Sequence, residues 1–226
     1  YTSTEYVEAP MAFAGYGIEL EYMIVDRQTL SVMPVADRLL QVAAGGEVSA
    51  FDRGNFGWSN EIVLHLVEIK NVCPDPSLEP IAAGFQAEVH AINRLLESMG
   101  ARLMPTAMHP WMAPAAETRL WPHDNASIYQ AYHRIFGCNK HGQANLQSMH
   151  VNLPFADDDE FARLHAAVRL VLPILPAIAA SSPIADGNPS GYLDFRMEAY
   201  RTAVQRVPSV IGQVLPDTVS SHAEYE

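Results

Sequence analysis

Over residues 17–25 polar and apolar positions alternate, with Glu19, Glu21 and Met23 in one phase and Ile18, Leu20, Tyr22 and Ile24 in the other. A period of two predicts a half-buried strand that carries both glutamates on the same face. Residues 37–43 predict a short helix that stops at Gly45-Gly46, and the glycine-punctuated stretch 51–58 predicts a loop or hairpin turn. A second strand is expected over 62–69. Between 77 and 99, Ile81, Phe85, Val89, Ile92, Leu96 and Met99 recur at steps of three and four, the pattern of one buried helix face. Pro74 and Pro76 precede this helix and Gly100 follows it. Strands are expected at 102–104, leading to a His109-Pro110 turn, and at 148–153, ending at Pro154. Asp157, Asp158 and Asp159 give an acidic first turn to a helix that runs through Val168 and must bend or end near Pro173 and Pro176. A last helix is expected over 197–205.

The strands are few, irregularly spaced and individually amphipathic. This favours an α+β fold, an antiparallel sheet with helices packed on one side, over a parallel α/β sheet. No internal repeat or low-complexity segment is visible, and 226 residues at 49% hydrophobic content are expected to form one domain.

Charge narrows the possible partners. The formal net charge of −12, from 14 basic and 26 acidic residues, argues against nucleic acid. An acidic protein that handles phosphates offsets their charge locally, most simply with divalent cations held by carboxylates. Cys73 and Cys138 show no metal-finger or redox spacing, so a reducing, cytoplasmic setting is expected. No membrane partner is indicated, because the most apolar run, 170–185, is broken by Pro173, Pro176 and Pro183. Self-association into a homo-oligomer stays open. The chain starts at Tyr1 rather than Met, and it is expected to be a portion of a longer protein.

Candidate chemistry gathers on the strands. Residues two apart on a strand project side by side, about 6.5 to 7 Å apart, so Glu19 and Glu21 present paired carboxylates, either to a cation or merely to solvent. Glu61 and Glu68 bracket the second strand. Their odd spacing lets both reach one site only if a bulge or turn intervenes near Glu61. A buried Glu68 needs either a cation or a Lys or Arg partner. His150 and Asn152 also stand two apart; His150 is either a ligand or a core histidine satisfied by a carbonyl. Arg196 could clamp a carboxylate or phosphate, or pair with Asp194 or Glu198. Walker A, HExxH and GxSxG signatures are absent, and Gly15-Tyr16-Gly17 opens a strand, unlike a dinucleotide fingerprint.

Read in order, the pieces are more specific than any one of them. Gly17-Ile18-Glu19-Leu20-Glu21-Tyr22, Asn60-Glu61, Val67-Glu68-Ile69, His109-Pro110, the run from Asn145-Leu146-Gln147-Ser148 through Met149-His150-Val151-Asn152, then Ser181-Ser182-Pro183, Gly191 and Arg196 resemble the bacterial carboxylate-amine ligase branch of the glutamate-cysteine ligases. The resemblance covers roughly residues 17–226 and implies a catalytic fold related to glutamine synthetase, in which a curved antiparallel sheet holds magnesium between acidic side chains. It implies Glu19, Glu21, Glu61, Glu68 and His150 as metal ligands, and Gln147, Asn152 and Arg196 as substrate or nucleotide contacts. Mg2+, with Mn2+ as a substitute, would be the cofactor and ATP the co-substrate. The implied reaction joins glutamate, or a similar carboxylate, to cysteine or another amine through an acyl phosphate, as in glutathione biosynthesis. Asn152 stands where the family often has a second histidine. Family members are also considerably longer, so this chain is expected to be a partial catalytic domain lacking later strands. The competing expectations are a metal- or nucleotide-binding protein without ligase activity, a metal-dependent hydrolase, and a purely structural or interaction module.

Overall fold

The structure is a computed structural model and describes residues 14–203, 205, 207, 209 and 218–225, so Tyr1 and Glu226 lie outside the described residues. The first strand, β1 (Gly17–Asp26), is followed by α1 (Ala36–Ala44), the hairpin strands β2 (Ala50–Arg53) and β3 (Phe56–Asn60), and β4 (Leu66–Asn71). Then come α2 (Leu78–Glu97), β5 (Ala101–Met104), α3 (Pro114–Glu117), α4 (Ala126–Phe136), α5 (His141–Ala144) and β6 (Met149–Asn152). The chain continues through α6 (Asp158–Val171), α7 (Leu175–Ile178), a small hairpin of β7 (Ile184–Ala185) and β8 (Asn188–Pro189), α8 (Phe195–Ala203) and α9 (His222–Tyr225).

The main sheet runs β2-β3-β4-β1-β5, and β6 pairs with β1 beside β5. Each of these pairings is antiparallel. β1 is its axis. Its first half is only partly buried, whereas Met23, Ile24 and Val25 are sealed on both faces. Ile24 belongs to a cluster with Trp58, Val67 and Ile69 of the sheet and Leu39, Phe85, Ile92 and Leu96 of α1 and α2. Met23 and Val25 join Val63, Leu66, Met104 and Met112 on the opposite face. A strand wedged between two apolar layers cannot slide, and its free half projects the alternating acids with fixed register. Among the described residues no helix is long and apolar enough to cross a membrane.

The expected antiparallel sheet with helices is present: α1 and α2 cover one face, Ala144 of α5 joins the cluster on the other, and α2 buries Ile81, Phe85, Ile92 and Leu96 as its periodicity requires. Glu88, on the same helix, is also buried. Its carboxylate takes two bonds from Arg53 (2.7 and 2.8 Å) and one from the Trp58 indole (2.8 Å). Such a carboxylate is tolerable only because its lone pairs are filled. At α6 the Asp157 side chain caps the first turn by accepting from the Glu160 backbone N–H (2.8 Å).

Three stretches differ in detail from expectation. The strand expected over 62–69 begins at Leu66, because residues 61–65 turn away from the sheet and pair with the segment around Leu120: Leu64 N–H donates to Arg119 (2.9 Å) and Trp121 N–H to Ile62 (3.0 Å). The continuous apolar run reflects burial in a turn rather than in a strand, which periodicity cannot distinguish. The 51–58 stretch is a hairpin with two strands of its own. The last helix, expected over 197–205, starts two residues earlier and ends at Ala203.

Close packing of α2 on the sheet yields a stability test. Cβ at Gly84 would fall inside contact distance of the Phe56 ring, which already stacks edge-on against Phe85 at 5.0 Å. Gly84→Ala gains about 1 kcal/mol of helix propensity but overpacks a rigid aromatic pair, at about 1–3 kcal/mol. The net expectation is destabilisation, read as a lower urea midpoint with unchanged slope.

Candidate metal centre

Strand pairing assembles the site. Glu21 lies opposite Glu68 across β1 and β4, and Glu19 lies opposite Lys70 on one side and His150 of β6 on the other. β3 extends the first row by setting Ser59 opposite Glu68. Cross-strand partners share a face, so Ser59, Glu68 and Glu21 form one row, and Lys70, Glu19 and His150 the next.

Glu61 reaches this face from outside the sheet. The turn at 61–65 removes it from strand alternation, which resolves the odd spacing to Glu68. Ligand oxygens of Glu21, Glu61 and Glu68 lie within 4.8 Å of one another, as do single ligand atoms of Glu19, Glu68 and His150. Glu68 belongs to both groups.

The carboxylates are oriented by specific donors. The Ser148 backbone N–H donates to Glu21 Oε2 (2.8 Å), and Asn152 Nδ2 donates to Glu19 Oε1 (3.1 Å). His150 Nδ1 is 2.9 Å from Glu19 Oε2. Ser59 Oγ (2.9 Å) and Lys70 Nζ (3.2 Å) both donate to Glu68 Oε1. Burial, reinforced by the neighbouring charges of Glu21 and Glu68, pushes the Glu61 carboxyl up to about 8. Burial also raises Glu21, partly offset by the Ser148 N–H.

The donor set fits a hard divalent cation. Carboxylate oxygens with one imidazole suit Mg2+ or Mn2+. An octahedral ion with ligands at about 2.1 Å holds them roughly 3 to 4.2 Å apart, a small side-chain adjustment from the spacing here.

The remaining sequence-derived candidates sit elsewhere or serve the scaffold. Gln147 is buried; its Oε1 accepts from the Met23 N–H (2.7 Å) and its Nε2 donates to Thr106 Oγ1 (3.2 Å), so the amide bonds β1 to the loop after β5. Arg196, on α8, pairs through Nε with Asp194 (3.2 Å). It lines an open cleft of about 1800 Å3 that also touches Glu21, Gln147 and Ser148. Met149 and Val151 form an apolar side of that cleft and point away from His150 and Asn152 by strand alternation. Of the two ligand groups, only Glu21 reaches it. His109 is buried in the scaffold, its backbone clasped by the Asn145 amide (2.7 and 3.0 Å). Sequence reasoning missed Ser59, Lys70 and Ser148. Lys70 was accessible from its two-residue step to Glu68; Ser59 needed the β3–β4 register.

Residues 16–226 match the sequence model of Glutamate-cysteine ligase family 2. The chain belongs to this family. An uncharacterized protein of Archaeoglobus fulgidus is 32% identical over 209 residues, covering 92% of this chain and 56% of its own length. A Rhodospirillum rubrum protein with the provisional name glutamate–cysteine ligase 2 is 31% identical over 223 residues, 93% of this chain and 50% of its own. A Rubrobacter xylanophilus protein provisionally named glutamate–cysteine ligase 2-3 is 26% identical over 188 residues, 83% and 47%. The chain thus spans about half the length of the curated relatives it matches.

The site predicts a signed pH dependence. A carboxyl raised in the folded state contributes stability that is full below its unfolded value and is lost as pH rises through the folded one. With Glu61 at about 8, the melting temperature in EDTA is expected to fall as pH rises from about 5 to about 8. Glu61→Gln should flatten the Glu61 share of that slope, and saturating Mg2+ should reverse it. Thermal melts of both proteins across this range check the sign.

Proposed function

We propose that the chain carries the acidic, metal-holding portion of an ATP-dependent carboxylate-amine ligase, and that the reaction is formation of γ-glutamylcysteine. The convergence of Glu19, Glu21, Glu61, Glu68 and His150 on one sheet face, in a member of Glutamate-cysteine ligase family 2, carries this reading. We read residues 1–226 as a single catalytic domain, present in part, with a sheet of the glutamine synthetase type.

A carboxylate is a poor acyl donor near neutral pH. In the proposed reaction a carboxylate oxygen of glutamate attacks the γ-phosphorus of ATP and ADP leaves, giving an acyl phosphate. The amine of cysteine then attacks the acyl carbon, the C–O bond to phosphate breaks, and the amine loses a proton as the amide forms. Bound Mg2+, or Mn2+ in its place, would neutralise phosphate charge during transfer. Glu19, Glu21, Glu61, Glu68 and His150 would hold it. Ser148 and Asn152 fix the carboxylates of Glu21 and Glu19 in place, limiting reorganisation at the moment of reaction. Arg196, which lines the same cleft as Glu21, would take a substrate carboxylate or a phosphate. Soluble substrates and a cytoplasmic setting accompany this reading.

The test is glutamate- and cysteine-dependent ADP release, with product identified by mass spectrometry, in the full-length protein and in residues 1–226. Ligation by the full-length protein alone is expected. ADP release without an amide product would indicate ATP hydrolysis without ligation, whereas product release without ATP would point to a hydrolase. Because Glu68 serves both ligand groups, Glu68→Gln should weaken Mn2+ binding by about tenfold or more, in the range expected for ligand-shell changes, and more than Glu61→Gln or Glu19→Gln. Equal losses across the three variants would remove Glu68 from its shared position.

A further inference from the structure

Lys70 and Lys140 are the two lysines of the chain, and Lys70 stands on the acidic face. It faces Glu19 across the β1–β4 pair and Gly57 across the β3–β4 pair. Its ammonium lies 3.2 Å from Glu68 Oε1, the carboxylate common to both ligand groups, and its side chain is 42% exposed. Gly57 presents no side chain beside it; Cβ there would come within 3.7 Å of the lysine Cγ.

We propose that Lys70 is an exchangeable counter-ion, which neutralises Glu68 when no divalent cation is bound and turns to an anionic substrate oxygen when one is. The inference rests on the acidic face being a cation site. A divalent ion beside Glu68 repels the ammonium while satisfying the carboxylate, so the pair weakens from both sides. Ser59 still holds Glu68 Oε1 when Lys70 leaves, so the ligand stays oriented without the lysine. The released ammonium remains on the ligand face, on a long flexible stem beside Gly57, which carries no side chain. It is a compact point charge suited to a phosphoryl or carboxylate oxygen.

Two effects of opposite sign follow from removing the charge. Lys70→Met should bind Mn2+ more tightly, by about threefold or more, since an exposed ion pair of ordinary strength no longer competes. The same variant, saturated with Mn2+, should bind a non-hydrolysable ATP analogue or glutamate about tenfold more weakly, the size of one lost charge-assisted hydrogen bond. Lys70→Arg should stay close to the parent in both. A purely structural lysine would weaken both or neither.

Reductive 13C-methylation makes lysine side chains directly observable, and the resonance lost in Lys70→Met assigns Lys70. The Lys70 signal is expected to move on adding Mg2+ and again on adding either the ATP analogue or glutamate, while Lys140 stays put. Whichever ligand produces the second shift identifies the oxyanion. No second shift with either, or unchanged or weaker Mn2+ affinity in Lys70→Met, overturns the proposal. Absence of Mn2+ binding by the parent protein would instead overturn the cation site itself, and the role of Lys70 with it.

Discussion

The register of β1 against β4 is the constraint on which the rest depends. With Glu21 opposite Glu68, every polar group of the face is placed by counting in twos from that pair. A slip of one residue would turn Glu19 and Glu21 into the layer occupied by Trp58, Ile69 and Phe85, and would present Leu20 and Tyr22 in their place. The register is secured at a distance from the carboxylates. Met23, Ile24 and Val25 are each fully buried, between two apolar clusters, and Gln147 adds a side-chain acceptor for the Met23 N–H. The same strand is a core element in one half and the candidate site's surface in the other.

This division explains the electrostatics. Four carboxylates on one face repel, and the apolar wedge beside them lowers the local dielectric, strengthening that repulsion. The protein meets the cost in different ways along the row. Glu19 is held by His150 and Asn152, Glu21 by a backbone N–H, and Glu68 by Ser59 and Lys70. Glu61 lies at the turn end and is the group whose ionisation is displaced furthest. Its proton and the proposed divalent cation would be alternative ways of discharging the same cluster, so cation binding near neutral pH would be coupled to proton release.

Much of this was legible in the chain, and the illegible part has a physical cause. Alternation at residues 17–25 gives the strand and the shared face of Glu19 and Glu21, and three-and-four spacing gives α2. The odd step from Glu61 to Glu68 requires a turn if both are to meet, and the turn is there. Its position is hidden, because Ile62 to Val67 read as a buried strand and the pairing partner of the turn lies near Leu120, far along the chain. α4 does repeat apolar residues at helical spacing, Ile128, Tyr132, Ile135 and Phe136, a signal that the expected elements left unused. Ser59 and Ser148 act through register and a backbone N–H, neither of which is a property of residue type.

Charge also constrains the order of events in the proposed reaction. The chain has a net charge of −12, and its ligand face offers one lysine and one histidine against four glutamates. A nucleotide that approached alone would meet a like-charged surface, and steering would act against it. A divalent cation meets the opposite field, and each one bound removes two units of negative charge from the face. Cation binding therefore precedes, or accompanies, the anion on electrostatic grounds. The apolar cleft beside Glu21 gives that anion an approach that avoids crossing the row of acids, since its lining reaches the ligand groups at Glu21 alone and carries Arg196. In the proposed reaction the acidic face and the cleft would divide the work along a single residue: cations would be collected on one side of Glu21, and on the other an organic ligand would be held with its anionic end directed towards them.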